Sequence, residues 1–427
     1  MRHLLPLYVF LLFLSPAFAQ PYVEGGRTSQ RFAQTTIGLD AMFTPGGGRS
    51  AYVNSLGALT DFSFSPGITP RILISGLHFW GHADFYLAFP LRTLNLSKAP
   101  VAYRFNSGVE TGARIFPWRI ESGKLRPFAG ISMNSTDFRQ ANREGDWGPW
   151  TSRMRVPVQA GVLYARGQTL VDVSMRWHWA NSQTYRVDFN TLAEVGTPPV
   201  FFQAGVRRYF ESTGSAEKGM QSGAYERLEK RLQERRALDG FSVAAGPSTA
   251  FFLQSSPTGS LGPGGFEDRL RPVTFPEFGL GYFFNGPDAH FNLAFRPMRA
   301  RNAAYGYEQT ATRTSLALEA FKFAGNYHGF VPFVGASVSR EWLGLKVTEQ
   351  GQVFSDVQRT RFHGGVTFGW DIRPTPVNTI LLRTNLRWYP RLSPGEGIRF
   401  DQLEFNFIQV VWYPGRGRKI QAVTGGQ

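Results

Sequence analysis

Apolar and polar residues alternate along most of this chain. In VDVSMRWHWA, Val171, Val173, Met175, Trp177 and Trp179 share one face of an extended strand, while Asp172, Ser174, Arg176 and His178 share the other. Segments with this two-residue period fall near 34–43, 61–79, 83–94, 102–116, 125–138, 152–165, 169–180 and 200–210. They return near 241–253, 273–284, 289–299, 312–324, 330–347, 359–372, 377–390 and 401–413. The pattern predicts eight strands and then eight more. Long polar connections (44–60, 139–151, 181–199, 254–272, 300–311, 348–358) alternate with short ones such as Gly81-His82 and Arg166-Gly167-Gln168. An antiparallel meander with long loops on one rim and tight turns on the other follows, with both chain ends on the turn side.

The alternation leaves open which solvent meets which face. A soluble sandwich would turn its apolar face inward. The strand number, the unequal rims and the aromatics at strand ends point to a membrane barrel instead. A spanning sheet must close to pair its backbone, placing apolar residues against lipid and polar ones in a lumen. In 380–389, Ile380, Leu382, Leu386 and Trp388 oppose Arg383, Asn385 and Arg387. In 401–413, Leu403, Phe405, Phe407, Val411 and Tyr413 are expected on one face, broken only by Gln409.

The two sets of strands look like copies. KLRPFAGIS (124–132) parallels GFVPFVGASV (329–338), and VDVSMRWHW (171–179) parallels ILLRTNLRWY (380–389). HADFYLAFPLR (82–92), RVPVQAGVLYA (155–165) and FFQAGVRRYF (201–210) find counterparts at 288–299, 361–370 and 403–413, in the same order. The organisation expected is an export signal over 1–19, a first eight-strand half over 20–210, a charged and partly helical periplasmic linker over 211–239, a second half over 240–413, and a basic periplasmic tail over 414–427. Leu228, Leu232 and Ala237 give the linker helix a thin apolar stripe, which fits a solvated linker and leaves a plug or docking helix as alternatives.

Composition narrows the compartment. Arg2 and His3, the apolar run Leu4–Leu14 and the small-x-small end Ala17-Phe18-Ala19 have the form of an export signal. The chain has no cysteine, so disulfides and thiolate metal sites are excluded. Its 47 glycines and 38 phenylalanines suit short strands and tight turns. The net charge of +15 is spread over many segments, and export argues against nucleic acid as its partner.

On these features the chain resembles the outer-membrane β-barrel proteins of Gram-negative bacteria, especially their OmpA-like eight-stranded units. Pro127-Phe128-Ala129-Gly130, its echo Pro332-Phe333-Val334-Gly335, and strands ending in aromatics carry the resemblance. It implies an outer-membrane location among lipids and lipopolysaccharide, and assembly by the barrel-insertion machinery. The matching assembly-signal positions are Phe405, Phe407, Val411, Trp412 and Tyr413. The tail beyond Tyr413 departs from that pattern. Two architectures fit: one sixteen-stranded barrel, taken as the expectation, or two tandem eight-stranded barrels.

A sixteen-stranded barrel would enclose a channel, and passive movement of small polar or anionic solutes is its expected function. Arg114, Arg155, Arg176, Arg207, Arg296, Arg383 and Arg387 are expected to face its lumen with Glu110, Asp172, Glu319 and Glu404; Asp40, Asp84 and Glu277 join them. The 254–272 loop is a candidate constriction. In a narrow barrel the same charges would instead form buried ion networks, and function would pass to the loops or the linker as a structural or adhesive role. A lipid-modifying enzyme is a remote third reading. Ser75, His78, His82 and Asp84 lie close in sequence, but Ser75 and His78 have opposite parity and no third metal ligand accompanies the histidines. No catalytic residue, metal or cofactor is assigned.

Overall fold

The computed structural model describes residues 34–179, 182–210, 223–253, 272–325, 330–373, 379–393 and 400–424. The expected export signal and nearly all of the candidate constriction loop lie outside them. Fifteen strands precede the linker: β1 (Gln34–Thr44), β2 (Gly47–Val53), β3 (Leu59–Phe64), β4 (Gly67–His78), β5 (Ala83–Pro90), β6 (Leu94–Asn95), β7 (Tyr103–Ser107), β8 (Glu110–Ile115), β9 (Leu125–Gln140), β10 (Thr151–Arg155), β11 (Val158–Arg166), β12 (Thr169–Trp177), β13 (Ser182–Asp188), β14 (Thr191–Gly196) and β15 (Val200–Phe210). Helix α1 (Gly223–Glu234) follows. Then come β16 (Gly240–Phe252), β17 (Val273–Phe284), β18 (Ala289–Ala304), β19 (Tyr307–Phe323), β20 (Phe330–Glu349), β21 (Gln352–Ile372), β22 (Ile380–Tyr389), β23 (Gln402–Trp412) and helix α2 (Arg416–Thr424).

The strands close into two rings, not one, and the expected sixteen-stranded barrel is thereby corrected. β15 turns back to pair with β1, from Thr35 opposite Phe210 to Phe43 opposite Phe202. β1 also pairs with β4, and β5, β8, β9, β11 and β12 complete the circle. β16 to β23 form the second closed barrel, with β23 pairing back onto β16. A single barrel would have needed β15 against β16. The side chains inside explain the narrow closure. At Gly112 an added Cβ would lie 2.5 Å from the Tyr86 ring, and at Gly281 one would lie 2.6 Å from the His290 ring. An eight-stranded barrel has just the room that its inward side chains fill. The five paired segments noted in the sequence fall on the third, fifth, sixth, seventh and eighth strands of each ring, which bears out the duplication.

Some sequence boundaries shift. Three of the predicted strands divide: 61–79 at Ser65-Pro66 into β3 and β4, 102–116 into β7 and β8, and 152–165 at Val156-Pro157 into β10 and β11. The connections expected over 300–311 and 348–358 shrink to two-residue turns, Tyr305-Gly306 and Gln350-Gly351. All four of those residues take positive φ, as this hairpin geometry requires. β18 to β21 therefore run 16 to 21 residues, well beyond the about 9–11 that cross a membrane. On the same rim, β13, β14, β2 and β3 form a four-stranded sheet above the first barrel.

The barrels lie side by side. Leu87, Phe89, Val109 and Met133 of the first pack against Phe251, Leu386, Leu403, Phe405, Phe407 and Ile408 of the second. Phe85 stacks on Phe330 at 6.3 Å. On the turn rim part of the tail folds into α2. Ile420 and Val423 pack on Leu232 of α1 and on Ala237 and Leu238 just beyond it, because each short helix can bury its thin apolar stripe only against the other.

Candidate functional site

Strand parity aims an ionic layer into each lumen. In the first barrel Arg71 donates from Nε and Nη2 to the two Asp40 oxygens at 2.6 and 2.8 Å, and from Nη1 to Glu110 at 2.7 Å. Arg176 also pairs with Glu110, which accepts the Tyr86 hydroxyl at 2.6 Å. Arg207 meets Asp84 at 2.6 Å and Asp172 at 3.3 Å. Arg114 lies 3.5 Å from Asp84 and 3.4 Å from Asp172, its guanidinium 4.6 Å over the Tyr86 ring. Four arginines thus meet four acids, all essentially shielded from solvent. Such balance is what makes buried charge tolerable.

The second barrel repeats the device with other residues. Arg387 holds Glu277 through two bonds at 2.6 and 2.8 Å and Glu319 at 2.9 Å. Arg296 reaches Glu319 at 2.9 Å and Glu404 at 3.8 Å. Arg313 holds Glu341 at 2.7 Å and pairs with Glu404. Arg383 takes both Asp371 oxygens at 2.7 and 3.0 Å, and Arg373 joins Asp371 from the turn rim at 3.0 Å.

Apolar layers lie on both sides of this charge. Toward the turn rim, Leu77, Phe116, Phe128 and Tyr209 fill the first barrel, while Phe283, Phe323, Phe333 and Tyr413 fill the second. Arg416 lies 3.7 Å over the Tyr413 ring and donates to Leu238 O at 3.0 Å. Toward the loop rim, Phe64, Tyr103, Phe138 and Tyr185 cap the first barrel. Phe252, Phe275, Leu392 and Phe400 cap the second.

Of the arginines read as lumen-facing, Arg114, Arg176, Arg207, Arg296, Arg383 and Arg387 enter these networks, as do Glu110, Asp172, Glu319 and Glu404. Arg155 does not: it lies above the barrel in β10, its Nε 3.4 Å from Thr136 Oγ1. Arg71, Arg313, Glu341 and Asp371 were missed. Parity could have found them, since Arg71 opposes the outward Ile72 and Arg313 opposes the outward Leu316. Ser75 and Asp84 both accept from Arg207 Nη1, at 2.8 and 2.6 Å, and so belong to the ion network, whereas His82 Nδ1 lies 3.0 Å from Phe116 O. No group of three or more potential metal ligands occurs among the described residues.

The assembly-signal positions divide. A bulge follows Asn406: Asn385 pairs with Asn406, but Arg383 pairs with Gln409. Gln409, Val411 and Tyr413 therefore point inward and are buried, whereas Val410 and Trp412 point out. Phe405 and Phe407 face the first barrel.

On the outside the usual order of a soluble protein is inverted. Val171, Val173, Met175 and Trp177 stand exposed on the first barrel; Leu280, Leu293, Leu318, Val338, Phe362 and Phe368 stand exposed on the second. A closed ring with ion pairs within and bare aliphatics without suits hydrocarbon, not water. This chain is an outer-membrane β-barrel protein. It comprises two closed eight-stranded barrels and resides in the outer membrane, where lipid surrounds its apolar outer faces.

The chain matches no protein-family model and no curated protein sequence. Among solved structures it is similar to Neisserial surface protein A at 20% identity, covering 42% of this chain and 99% of that one with a TM-score of 0.30. It is similar to Ail, the attachment invasion locus protein of Yersinia pestis, at 11% identity, covering 41% and 97% with a TM-score of 0.28. The β domain of the Bordetella autotransporter BrkA aligns at 12% identity over 89% and 99%, with a TM-score of 0.23. Likenesses this loose carry no argument, and the assignment rests on the geometry of the chain.

The loop rim holds the other built feature. Tyr305, at the β18–β19 turn, donates its hydroxyl to Arg186 O at 3.0 Å and its N–H to Trp147 O at 3.2 Å. Burial, and then nearby Asp188, raise the Tyr305 phenol above its ordinary value, so it stays a donor. Trp150 N–H donates to Asn302 Oδ1 at 3.0 Å, and Asn302 Nδ2 returns a bond to Trp150 O at 3.2 Å. Arg139 lies over both Trp147 and Trp150, at 4.3 and 4.6 Å. These contacts join the sheet above the first barrel to the tall hairpins of the second.

Proposed function

We propose that the protein is a non-conducting surface barrel pair that acts through its loop rim, which faces the cell exterior. One observation supports this above the others: each lumen is a layer of paired charge between two apolar layers. Solute passage would have to break buried ion pairs, each costing several kcal/mol to separate. The rim, by contrast, is built to keep a shape, with a sheet, a ring-packed core and bonds across both barrels. Leu56, 89% exposed at a turn tip, and Leu192, 56% exposed near the start of β14, are apolar side chains offered to a partner. An adhesive or binding role fits such a platform.

Two measurements test the reading. The refolded full chain in planar bilayers should show no stable conductance steps; steps of nanosiemens size would overturn it. Because the chain has no native cysteine, Arg143→Cys offers a unique label in the exposed loop after β9. An impermeant maleimide should mark it on intact cells. Labelling only after the outer membrane is breached would reverse the orientation.

A further inference from the structure

The outer wall of the second barrel changes character along its tall strands. Hydrogen-bond register sets Phe295, Leu316, Arg340 and Phe362 in one outward row, then Pro297, Thr314, Trp342 and Thr360 in the next. The following row is Arg299, Thr312, Gly344 and Gln358, and the one beyond it is Arg301, Thr310, Lys346 and Asp356. Rows are two residues apart, about 7 Å along a strand. The aliphatic belt thus ends at Trp342, and basic and hydroxyl groups begin within one row.

A groove of about 260 Å³ opens there, lined by Arg299, Thr310, Thr312, Gly344, Lys346, Gln358 and one acid, Asp356, which stands opposite Lys346 in register. Gly344 makes the hollow: an added Cβ would sit 2.6 Å from Thr312 Oγ1. Arg299 and Lys346 are exposed, and neither has an acid within ion-pair distance among the described residues. Arg301, on the same face, pairs with Glu308 and is already answered. Arg340 lies a little lower, its guanidinium 5.0 Å over the Trp342 ring.

We infer that this groove binds a phosphate of the outer-leaflet glycolipid, lipid A. The orientation rests on the reading given above. Two cations, two hydroxyls and an amide line a hollow large enough for a phosphate, their charge outweighing the one carboxylate of Asp356, and guanidinium suits phosphate through paired N–H donors. Its height selects a lipid over a free anion. The groove opens sideways, one row above Trp342, so acyl chains lying on Phe295, Leu316 and Phe362 carry a headgroup phosphate to its mouth. Gln358 Nε2 lies 3.4 Å from Asp356 Oδ1, which occupies that carboxylate within the lining.

The test uses the folded full chain in zwitterionic detergent, with bound lipid counted by native mass spectrometry. Diphosphoryl lipid A should bind about tenfold or more tightly than its dephosphorylated form, as charged hydrogen bonds of ordinary strength require. R299Q/K346Q should erase that preference, while R301Q should keep it. Equal binding of the two lipids by the wild-type chain would overturn the inference, and needs no variant to fold. So would an unchanged preference in R299Q/K346Q. Inorganic phosphate competing as well as the lipid would assign the groove to a soluble anion and likewise overturn it. None of these outcomes depends on the conductance or cell-labelling results.

Discussion

Glu110 accepts from Arg71, Arg176 and Tyr86 at once and is fully buried. Glu110→Gln leaves two buried guanidinium groups short of a charge. It is expected to lower unfolding free energy by about 3–5 kcal/mol, read by urea denaturation in lipid vesicles. Glu144→Gln removes an exposed pair with Arg143 and should cost about 0–1 kcal/mol in the same assay. Equal effects would mean that the lumen is hydrated. At this scale much was legible. Parity alone separated Asp172 and Arg176 from Val171 and Val173, because each residue of a strand meets one of two solvents. Which arginine meets which acid was not legible, since partners such as Arg313 and Glu404 are 91 residues apart. Gln409 was the informative misfit. A polar residue breaking an apolar face marks the bulge, and the face shifts to Val410 and Trp412 beyond it.

Strands proved harder to delimit than to detect. RNAAYGYEQT (301–310) reads as a loop because strands that rise past the lipid lose their apolar outer face. Only the positive-φ pair Tyr305-Gly306 marks where the chain reverses. Conversely, β2, β13 and β14 fall within expected loops and β3 was merged with β4, since a small sheet in water needs no sustained alternation. The hairpin apex ties these parts together. Tyr305→Phe removes the bond to Arg186 O and should cost about 1 kcal/mol locally. Hydrogen exchange should quicken over Ser182–Asp188 and leave β11 and β12 unchanged. Uniform exchange across the variant would show that the sheet stands without the second barrel.

For the whole molecule, the duplication was readable and the closure was not. Alternation counts strands, but it does not say whether β15 returns to β1 or continues to β16. Bulk at inward positions decided that, through the close approach of Tyr86 to Gly112 and of His290 to Gly281. The barrels then meet through Leu87, Phe405 and Phe407. Lipid is as apolar as these side chains, so close packing and the loop-rim bonds must hold the pair, not exclusion of water. A protease site inserted within 211–222 and cut after folding should leave the halves copurifying; separation would show that the covalent link alone unites them. Lumens filled with paired charge between apolar layers carry a consequence for the cell. On the proposed non-conducting reading, a protein that crosses the outer membrane sixteen times without a leak can be made in great abundance, and the bacterium's resistance to small hydrophilic toxins should not depend on how many copies it carries.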